Sequence, residues 1–419
     1  MSNAKPSLVE RDTSMYAEFL QTQDIAEVAK LHSVSESTVR RALKRAREIL
    51  EVHADGELVD ENLRLGASKQ YLQDRNRIER KSWREHIRIQ NAIEGLSHNL
   101  EAALIGFEFQ RPVDTPVPAV GLPTDPVGVI QFSDIHINEI IRGLTGNSYD
   151  IDIASRRIHK HVHKSLNIFK AQGVKNVLVA FTGDILNSDR RLDELLNAAA
   201  PRANAVLLAV DIFQQAIQEV AREHRVTVAS ITGNESRLGE HIHYDDFLAM
   251  DSFDITIHNI LARLFAGYPG VEFAKVSNPL EQVVSINGFN LLLVHGHCHK
   301  GLARNPENEV SHIKSRYAAH GMVIDYVICG HIHSAYVSDM FSRSSGLPGS
   351  NAYSDRALNL NGKASQNSYV IWADKSIDAY KIDLQTWADV EPYAYDKGLD
   401  MTDRNSKLKP TVLINSITI

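Results

Sequence analysis

Residues 127–136 read VGVIQFSDIH, an apolar run followed within four positions by a carboxylate and an imidazole. The run Val127–Phe132 is rich in Val and Ile, and its length is typical of a buried β-strand. Asp134 and His136 follow directly, at the point where such a strand ends. The stretch therefore predicts a strand that delivers two polar side chains to one edge of a sheet.

The same arrangement recurs four more times along the chain. The further predicted strands are Asn176–Phe181, Val226–Ile231, Leu291–Val294 and Tyr326–Cys329. The residues that follow them are, in the same order, Gly183-Asp184, Gly233-Asn234-Glu235, His295-Gly296-His297 and Gly330-His331-Ile332-His333. Helices are predicted at 151–172, 202–224 and 308–320. Strands and helices thus alternate, which predicts the α/β fold class.

The five polar motifs are expected to meet in one place, because strand ends of an α/β sheet converge on one edge. Carboxylates and imidazoles together suit Mn, Fe, Zn and similar ions, and one carboxylate has two oxygens that can bridge two cations. The sequence therefore predicts a centre for two divalent ions. Further on, 369–373 and 377–382 predict an antiparallel strand pair, after a loop at 342–368.

In this order the motifs resemble the signature of the calcineurin-like metallophosphoesterase superfamily, DxH, GD, GNH[DE], H and GHxH, over roughly residues 126–334. The resemblance implies a two-sheet sandwich flanked by helices. It also implies attack of a metal-bound hydroxide on phosphorus, with Mn as the favoured ion and Fe, Zn, Ni or Mg as alternatives. The implied ligands are Asp134, His136 and His333 for one ion, Asn234, His295 and His331 for the other, and Asp184 as the bridge.

The third motif departs from the family pattern, because Glu235 stands where the family has a histidine that protonates the leaving oxygen. A carboxylate that faces an anionic phosphate is repelled unless it is protonated or paired. Arg237 is the candidate partner of Glu235 or of the phosphate. The predicted catalytic residues are Asp184, Asn234, Glu235, Arg237 and His297, with His299, His241 and His243 as further candidates for the general acid.

A second group of histidines receives a different interpretation. His159, His161 and His163 lie at i, i+2 and i+4 within a predicted helix, so the three side chains cannot share one face. We expect them to be a solvated or interface feature.

Residues 24–47 read DIAEVAKLHSVSESTVRRALKRAR, with apolar residues spaced for two short helices around a turn. The stretch resembles the helix-turn-helix of bacterial repressors. Five cationic side chains near its end are suited to binding the phosphate groups of DNA. The predicted nucleic-acid contacts are Ser35, Ser37, Thr38, Arg40, Arg41, Lys44 and Arg45. A unit that contacts proteins instead is the alternative left open.

The distribution of proline along the chain indicates where one domain ends and the next begins. Residues 60–108 contain no proline and show helical apolar spacing, which predicts one or two amphipathic helices that pack or dimerise. Prolines then crowd into 112–126, a composition that resists both helix and central strand. The predicted organisation is an all-α domain at 1–110, a linker at 111–126, a metallophosphoesterase domain at 127–385 and an extension at 386–419.

The composition of the 419 residues excludes several classes of protein. Lys and Arg number 45 against 52 Asp and Glu, a formal net charge of −7, so no overall positive charge draws the chain to nucleic acid or lipid. The two cysteines, Cys298 and Cys329, cannot form a disulfide framework and are interpreted as free, apolar fillers. No apolar run approaches the roughly 20 residues that span a bilayer. We therefore expect no membrane partner and a location in the cytoplasm, and the resemblance to phage and bacterial members of the superfamily implies a bacterial cell, with a phage gene as one source.

The resemblance implies a two-metal phosphodiesterase, and together with the helical N-terminal stretch it predicts a DNA nuclease whose helical domain localises it on DNA, with homo-oligomers formed through the N-terminal helices. A phosphomonoesterase that acts on proteins or small molecules is the first alternative. A non-catalytic metallophosphoesterase-like scaffold that binds DNA is the second, because Glu235 replaces the family's proton donor.

Overall fold

The computed structural model of the chain describes residues 8–48, 118–119, 121–144, 146–238, 249–350 and 362–403. The chain divides into two units, Met1–Leu100 and Glu101–Ile419. The helices predicted within 60–108 lie outside the described residues, and the predicted boundaries at 110 and 126 stay predictions. In the part that is described, none of the helices has the length and apolar character needed to cross a lipid bilayer.

In the described part of the first unit, residues 8–48, there are three helices: α1 (Leu8–Thr22), α2 (Ile25–Leu31) and α3 (residues 36–48). Asp24 caps α2, because its side chain accepts hydrogen bonds from the N–H groups of Ala26 and Glu27. The helices bury a small apolar core formed by Met15, Val28, Ala29, Val39 and Ala42. Two helices and a turn therefore occupy 24–47, and the role of this unit in DNA binding stays a prediction.

The second unit holds the strands and the two longest helices of the described part of the chain. In chain order the strands are β1 (Val127–Phe132), β2 (Ile141–Leu144), β3 (Asn147–Tyr149), β4 (Asn176–Phe181), β5 (Arg225–Ser230), β6 (Val271–Phe273), β7 (Glu281–Ile286), β8 (Phe289–Val294), β9 (Tyr326–Cys329), β10 (Tyr336–Val337), β11 (Phe341–Arg343), β12 (Ser365–Ile371) and β13 (Ile377–Asp383). The helices are α4 (Ile151–Gln172), α5 (Leu192–Leu196), α6 (Arg202–Ala221), α7 (Phe253–Leu264) and α8 (Pro306–Ala319), with a 3₁₀ turn at Lys300–Ala303.

Two sheets form the centre of this unit. The larger has the order β13-β12-β1-β4-β5-β6 and the smaller the order β10-β11-β9-β8-β7. Strands β1, β4, β5 and β6 run parallel, as do β8, β9 and β11, whereas β12 pairs antiparallel with β1. Leu178 and Val129 of the larger sheet share one buried core with Leu291 and Ile328 of the smaller. The sheets therefore pack face to face, and the predicted α/β class is confirmed.

Helices cover the outer faces of both sheets. Val310 and Ile313 of α8 pack on the smaller sheet in an apolar cluster that includes the buried thiol of Cys329. On the larger sheet, a Cβ at Gly128 of β1 would lie 2.7 Å from the ring of Phe169 on α4. Gly128 thus allows the helix to approach the sheet closely.

The helix predicted at 151–172 has the predicted bounds, and both of its ends carry local signals. Asp150 accepts a hydrogen bond from the N–H of Ile153 at the start of α4, and Gly173 ends the helix with φ of 71°. Helix α6 ends three residues before the predicted end at 224. Strands β5 and β8 begin one and two residues earlier than predicted.

The loop predicted for 342–368 is wrong at both ends, because β11 runs to Arg343 and β12 begins at Ser365. The polar residues at the start of β12 resemble a loop in sequence, yet they are buried, and the side chains of Gln366 and Ser368 are hydrogen-bonded. Gln366 donates to the carbonyl oxygens of Ser133 and Ser345 at 2.9 and 2.7 Å. Polar residues here hold neighbouring loops, and residues 351–361 of the predicted loop lie outside the described part.

The described residues of the predicted C-terminal extension pack against α4 and α6. Ser155 donates to the carbonyl oxygen of Tyr393 at 2.9 Å, and the Tyr393 hydroxyl donates to Glu219 at 2.7 Å. Lys160 forms an ion pair with Asp389 at 2.7 Å. Residues 386–403 thus cover part of the outer helical layer.

The interpretation of His161 as a solvated or interface residue is wrong. Its side chain is fully buried, and its Nε2 lies 3.1 Å from the carbonyl oxygen of Gln131. The ring also packs edge-on against Phe132. Alternation along the helix places His161 on the sheet side and leaves His163 exposed.

Replacing His161 with Gln should make the free energy of unfolding less dependent on pH below neutrality. Burial lowers the pKa of His161 from 6.5 to about 3, so the unfolded chain binds a proton that the folded protein excludes. The free energy of unfolding therefore falls as the pH drops below about 6.5, and this group accounts for about 2 kcal/mol between pH 7 and pH 5. Urea unfolding at both pH values checks this, with His163→Gln as the exposed control. An unchanged dependence in His161→Gln would contradict the prediction.

Candidate metal centre

The loops that follow β1, β4, β5, β8 and β9 carry the polar motifs, and hydrogen bonds join these loops across the two sheets. The N–H of Asp134 donates to the carbonyl oxygen of Gly183 at 3.0 Å within the larger sheet. The N–H of His331, after β9 of the smaller sheet, donates to both carboxylate oxygens of Asp134 at 3.0 Å. The ends of the strands therefore meet, as expected for parallel strands.

One group of side chains consists of Asp134, His136 and His333, whose ligand-type atoms all lie within 4.8 Å of one another. The Nε2 atom of His333 lies 3.2 Å from Asp134 Oδ1 and 3.2 Å from His136 Nε2. Asp134 and His136 are buried, and His333 is partly exposed. The three residues predicted for one ion are thus brought together.

A second group consists of Asp184, His295 and His331, again within 4.8 Å. His295 Nε2 lies 2.9 Å from Asp184 Oδ2 and 3.1 Å from Asn234 Oδ1. His295 Nδ1 lies 2.8 Å from the carbonyl oxygen of Thr182, which directs Nε2 toward the group. Asn234 is therefore adjacent to the ligands predicted for the second ion, and the bridging role of Asp184 stays a prediction.

Backbone conformation sets these residues apart. Nine non-glycine residues in the described part of the chain have positive φ, and five of them belong to the two groups. They are Asp134 (51°), His136 (45°), Asp184 (57°), His331 (69°) and His333 (54°). A left-handed conformation costs roughly 1–2 kcal/mol per residue, and such strain clusters at functional sites. The loops are held in unfavourable conformations that bring the ligand-type atoms together.

Glycine at two positions permits this close approach. A Cβ at Gly233 would overlap the Asp184 carboxylate, and a Cβ at Gly330 would overlap the side chains of Ser133 and Asp134. Any larger residue at either position would displace a predicted ligand.

Charge is balanced inside the centre. Burial alone would raise the pKa of Asp134, but the charge of His333 and its hydrogen bond outweigh burial and lower it to about 2. The pKa of Asp184 is lowered in the same way by His295, against burial. Burial acts to lower the pKa of His295 and His333, yet these carboxylates raise both. Protons on imidazoles thus supply the positive charge that a bound cation would replace.

The donor atoms fit divalent metal ions in type and spacing. Two ligands bound to one ion at about 2.1 Å lie roughly 3.0–3.4 Å apart, depending on coordination geometry. The separations of 2.9, 3.2 and 3.2 Å quoted above are close to this range. Carboxylate and imidazole donors suit Mn, Fe and Zn. The side chains present are therefore compatible with the two predicted ions.

Arg237 was predicted as the partner of Glu235 or of the phosphate, and the structure places another arginine beside Glu235. Its carboxylate forms an ion pair with Arg190, from the loop after β4, at 2.7 Å. Arg237, the predicted partner, has its pKa lowered by burial and by the charge of Arg190. Arg190 is remote in sequence from the third motif, and no local signal indicates it.

The candidates for the general acid do not share one environment. Burial and the charge of His295 lower the pKa of His297 to about 3 in the metal-free chain, and the role of His297 as general acid stays a prediction. His299 contacts carboxylates, with Glu281 at 3.2 Å and Glu309 at 3.5 Å. His241 and His243 lie outside the described residues.

Asp254 is a buried residue of this centre that the sequence reasoning missed. It accepts hydrogen bonds from the N–H groups of Asp184 at 3.2 Å, Ile185 at 2.9 Å and Gly233 at 2.9 Å. One carboxylate therefore ties the loop after β4 to the loop after β5. Ser252 caps α7 just before it, and this cap followed by an apolar helical pattern was the available signal.

The predicted nucleic-acid contacts lie on or next to α3. Those with exposed side chains are Ser35, Ser37, Arg40, Arg41 and Lys44. The hydroxyl of Thr38, which is half-buried, lies 2.9 Å from that of Ser35. Arg45 differs, because its Nε and Nη2 donate to the buried carboxylate of Asp12 at 2.7 and 3.1 Å. Arg45 thus ties α3 to α1.

Comparisons with known proteins give limited information. No protein-family model and no curated protein matches the chain. Among solved structures, a predicted phosphoesterase from Streptococcus pneumoniae is 12% identical, with a TM-score of 0.28. The match covers 66% of this chain and 95% of the phosphoesterase chain. The zinc complex of Vps29 from Entamoeba histolytica is 12% identical with a TM-score of 0.27, covering 61% and 99%. The calcineurin-like phosphoesterase YfkN from Bacillus subtilis is 10% identical with a TM-score of 0.27, covering 67% and 96%. At such scores, function has to be inferred from the geometry of the site itself.

Replacing Asp254 with Asn should destabilise the protein by about 2–3 kcal/mol, because one amide oxygen cannot serve three N–H donors and the amide NH₂ would face one of them. The loops of Asp184 and Asn234 would then be less firmly joined, so Mn²⁺ affinity should fall too. Urea unfolding and calorimetric Mn²⁺ titration measure the two effects. Glu272→Gln, an exposed carboxylate on β6, is the control. Wild-type stability in Asp254→Asn would show that these hydrogen bonds are dispensable.

Proposed function

We propose that the chain is a two-metal phosphodiesterase that hydrolyses DNA. The observation that carries this proposal is the pair of buried carboxylate–imidazole groups held by five strained loop residues. A purely structural polar cluster would gain nothing from such strain, whereas a metal centre needs converging donors.

Asp134, His136 and His333 would hold one ion, and Asn234, His295 and His331 the other, with Asp184 between them. When bound, two divalent ions activate water and neutralise the charge that develops on the phosphoryl oxygens. The chain itself orients the donors. The carbonyl oxygen of Thr182 directs the His295 ring, and Asp254 fixes the backbone that carries Asp184.

Positive side chains beside the second group would attract a phosphate. Arg190 pairs with Glu235, and Arg202 donates to the backbone carbonyl of Glu235 at 2.8 Å and pairs with Asp189 at 3.0 Å. Arg237 is close enough for the charges of both arginines to lower its pKa, after burial. Three guanidinium groups on one side of the centre favour an anionic substrate.

The first unit supports DNA as the substrate. Arg40, Arg41 and Lys44 expose cations on α3, and Ser37 adds an exposed hydroxyl one turn earlier. Cations and hydroxyls on a helix that follows a short turn suit contacts with DNA phosphates. We propose that this unit localises the enzyme on DNA, that the chain acts in the cytoplasm of a bacterial cell, and that Mn²⁺ is the working ion.

Metal-loaded protein should cleave bis-p-nitrophenyl phosphate faster than p-nitrophenyl phosphate. Asp184→Asn and His295→Ala should each lower the cleavage rate by more than about 100-fold, because each removes a predicted metal ligand. Loss of a residue that only supports a ligand costs up to about 100-fold. Circular dichroism checks that both variants keep the fold. Wild-type cleavage in both would exclude this site, and a preference for the monoester would favour a phosphomonoesterase.

Replacing Arg40, Arg41 and Lys44 together with Ala should weaken DNA binding at all sequences. Each lost phosphate contact should reduce the slope of log K against log salt by roughly 1. Fluorescence anisotropy at several salt concentrations measures this slope. A matched variant with Lys375, Lys381 and Lys397 changed to Ala removes the same charge from exposed positions of the second unit. Equal slopes in the two triple variants would assign the first unit to protein contacts.

A further inference from the structure

Glu235 has both carboxylate oxygens engaged inside the protein. Asn234 Nδ2 donates to Oε1 at 2.5 Å, and Arg190 Nη2 donates to Oε2 at 2.7 Å. The backbone N–H of Glu235 also donates to Asp184 Oδ1 at 2.6 Å. The residue that replaces the family's histidine thus touches two predicted metal ligands, one through its side chain and one through its backbone.

The contact with Glu235 determines which end of the Asn234 amide faces the centre. An asparagine side chain carries an acceptor oxygen and a donor NH₂ group, whereas an ionised carboxylate only accepts hydrogen bonds. The NH₂ group therefore turns to Glu235, and Oδ1 turns to the second group, 3.1 Å from His295 Nε2. Only the oxygen can ligate a cation, so the orientation decides whether Asn234 serves as a ligand.

Arg190 holds the carboxylate in place and offsets its charge. Its Nη2 binds Glu235 and its Nε donates to the hydroxyl of Ser188 at 3.0 Å, so the guanidinium plane is fixed from two sides. Side chains of Arg190 and Glu235 are only 20% and 24% exposed, so solvent screens the pair incompletely. A paired carboxylate at this position no longer repels an approaching phosphate as an unpaired one would.

We propose that the Arg190–Glu235 pair is a positioning unit, which orients the Asn234 amide oxygen toward the second metal group and takes no part in proton transfer. This inference rests on the proposed two-metal function. The histidine that the family has at this position donates a proton. Under this inference Glu235 does not donate a proton and instead supports the metal ligand Asn234.

The test uses the full-length, metal-free chain and three variants: Glu235→Gln, Arg190→Ala and the double variant. A glutamine cannot accept from both Asn234 and Arg190, because one end of its amide is a donor. The control is Arg156→Ala, which breaks an Arg–Asp pair on α4 with the same 2.7 Å separation and the same 20% exposure of the arginine. Circular dichroism and thermal unfolding of the metal-free proteins establish that each variant is folded.

Calorimetric titration with Mn²⁺ should show two sites in the wild type. Glu235→Gln and Arg190→Ala should each weaken one site by about 10–100-fold and leave the other unchanged, as loss of an outer-shell partner does. The double variant should lose no more Mn²⁺ affinity than the single variant with the larger loss, because both residues act through the Asn234 amide. Excess Mn²⁺ should restore most of kcat of Glu235→Gln on bis-p-nitrophenyl phosphate, and the acid limb of the pH profile of this variant should stay in place.

Two results would overturn the inference, and they are distinguishable. Wild-type Mn²⁺ affinities in both variants, together with a lost pH limb in Glu235→Gln, would make Glu235 a proton donor while leaving the two-metal function intact. A wild-type chain that binds no Mn²⁺ would contradict the two-metal function itself, before any substitution is considered.

Discussion

Asp134 and Asp184 place two carboxylates, both almost fully buried, where the ends of the two sheets meet. Burying an ionised carboxylate without compensation costs several kcal/mol, so the surroundings must supply donors and positive charge. The backbone N–H groups of His331 and Glu235 supply the donors. Imidazoles supply charge in the metal-free chain. His331 and His333, which contribute an N–H group and a ring to this compensation, are among the residues with positive φ values.

The sheets below the centre carry a polar network that fixes their relative position. Gln131 on β1 donates to the carbonyl oxygen of Cys329 on β9 at 2.9 Å and to Thr182 Oγ1 at 3.0 Å. Its own oxygen accepts from the hydroxyl of Tyr369 at 2.7 Å. Apolar contacts alone would allow the sheets to slide, whereas a buried network with specific partners favours one register. The spacing of donors in the centre depends on that register.

Much of the fold could be predicted from the sequence because its signals are local. Strands such as β1 are buried on both faces and therefore appear as continuous apolar runs, and α4 has an Asp cap and a terminal Gly. The positions of the motifs after the strands also follow from chain order. The strained φ values of the histidines and aspartates do not, since nothing in a motif reports the partner that imposes them.

Residues whose role depends on tertiary contacts were missed or misread. Arg190 lies 45 positions before Glu235, and only the packing of two loops brings them together. Asp254 serves loops about 20 and 70 positions away, and its sequence neighbours indicate only a helix start. His161 reads as polar because it is a histidine, yet the face of α4 that it occupies turns toward the sheet. Long-range pairing of this kind leaves no periodic trace in the sequence.

Charge around the centre bears on the order in which ligands would bind under the proposed function. In the metal-free site, two buried carboxylates repel an anionic phosphate. The positive charges of His295 and His333 are already paired with these aspartates, so they do not attract the phosphate. Two divalent ions would add four positive charges and release the imidazole protons, which reverses the sign of the local field. Arg190, Arg202 and Arg237 beside the second group are charged in either state, so they draw a phosphate toward the centre but cannot hold it against the two aspartates. Metal binding would therefore precede substrate binding, and support for Asn234 by Glu235 would act at the earlier of the two steps.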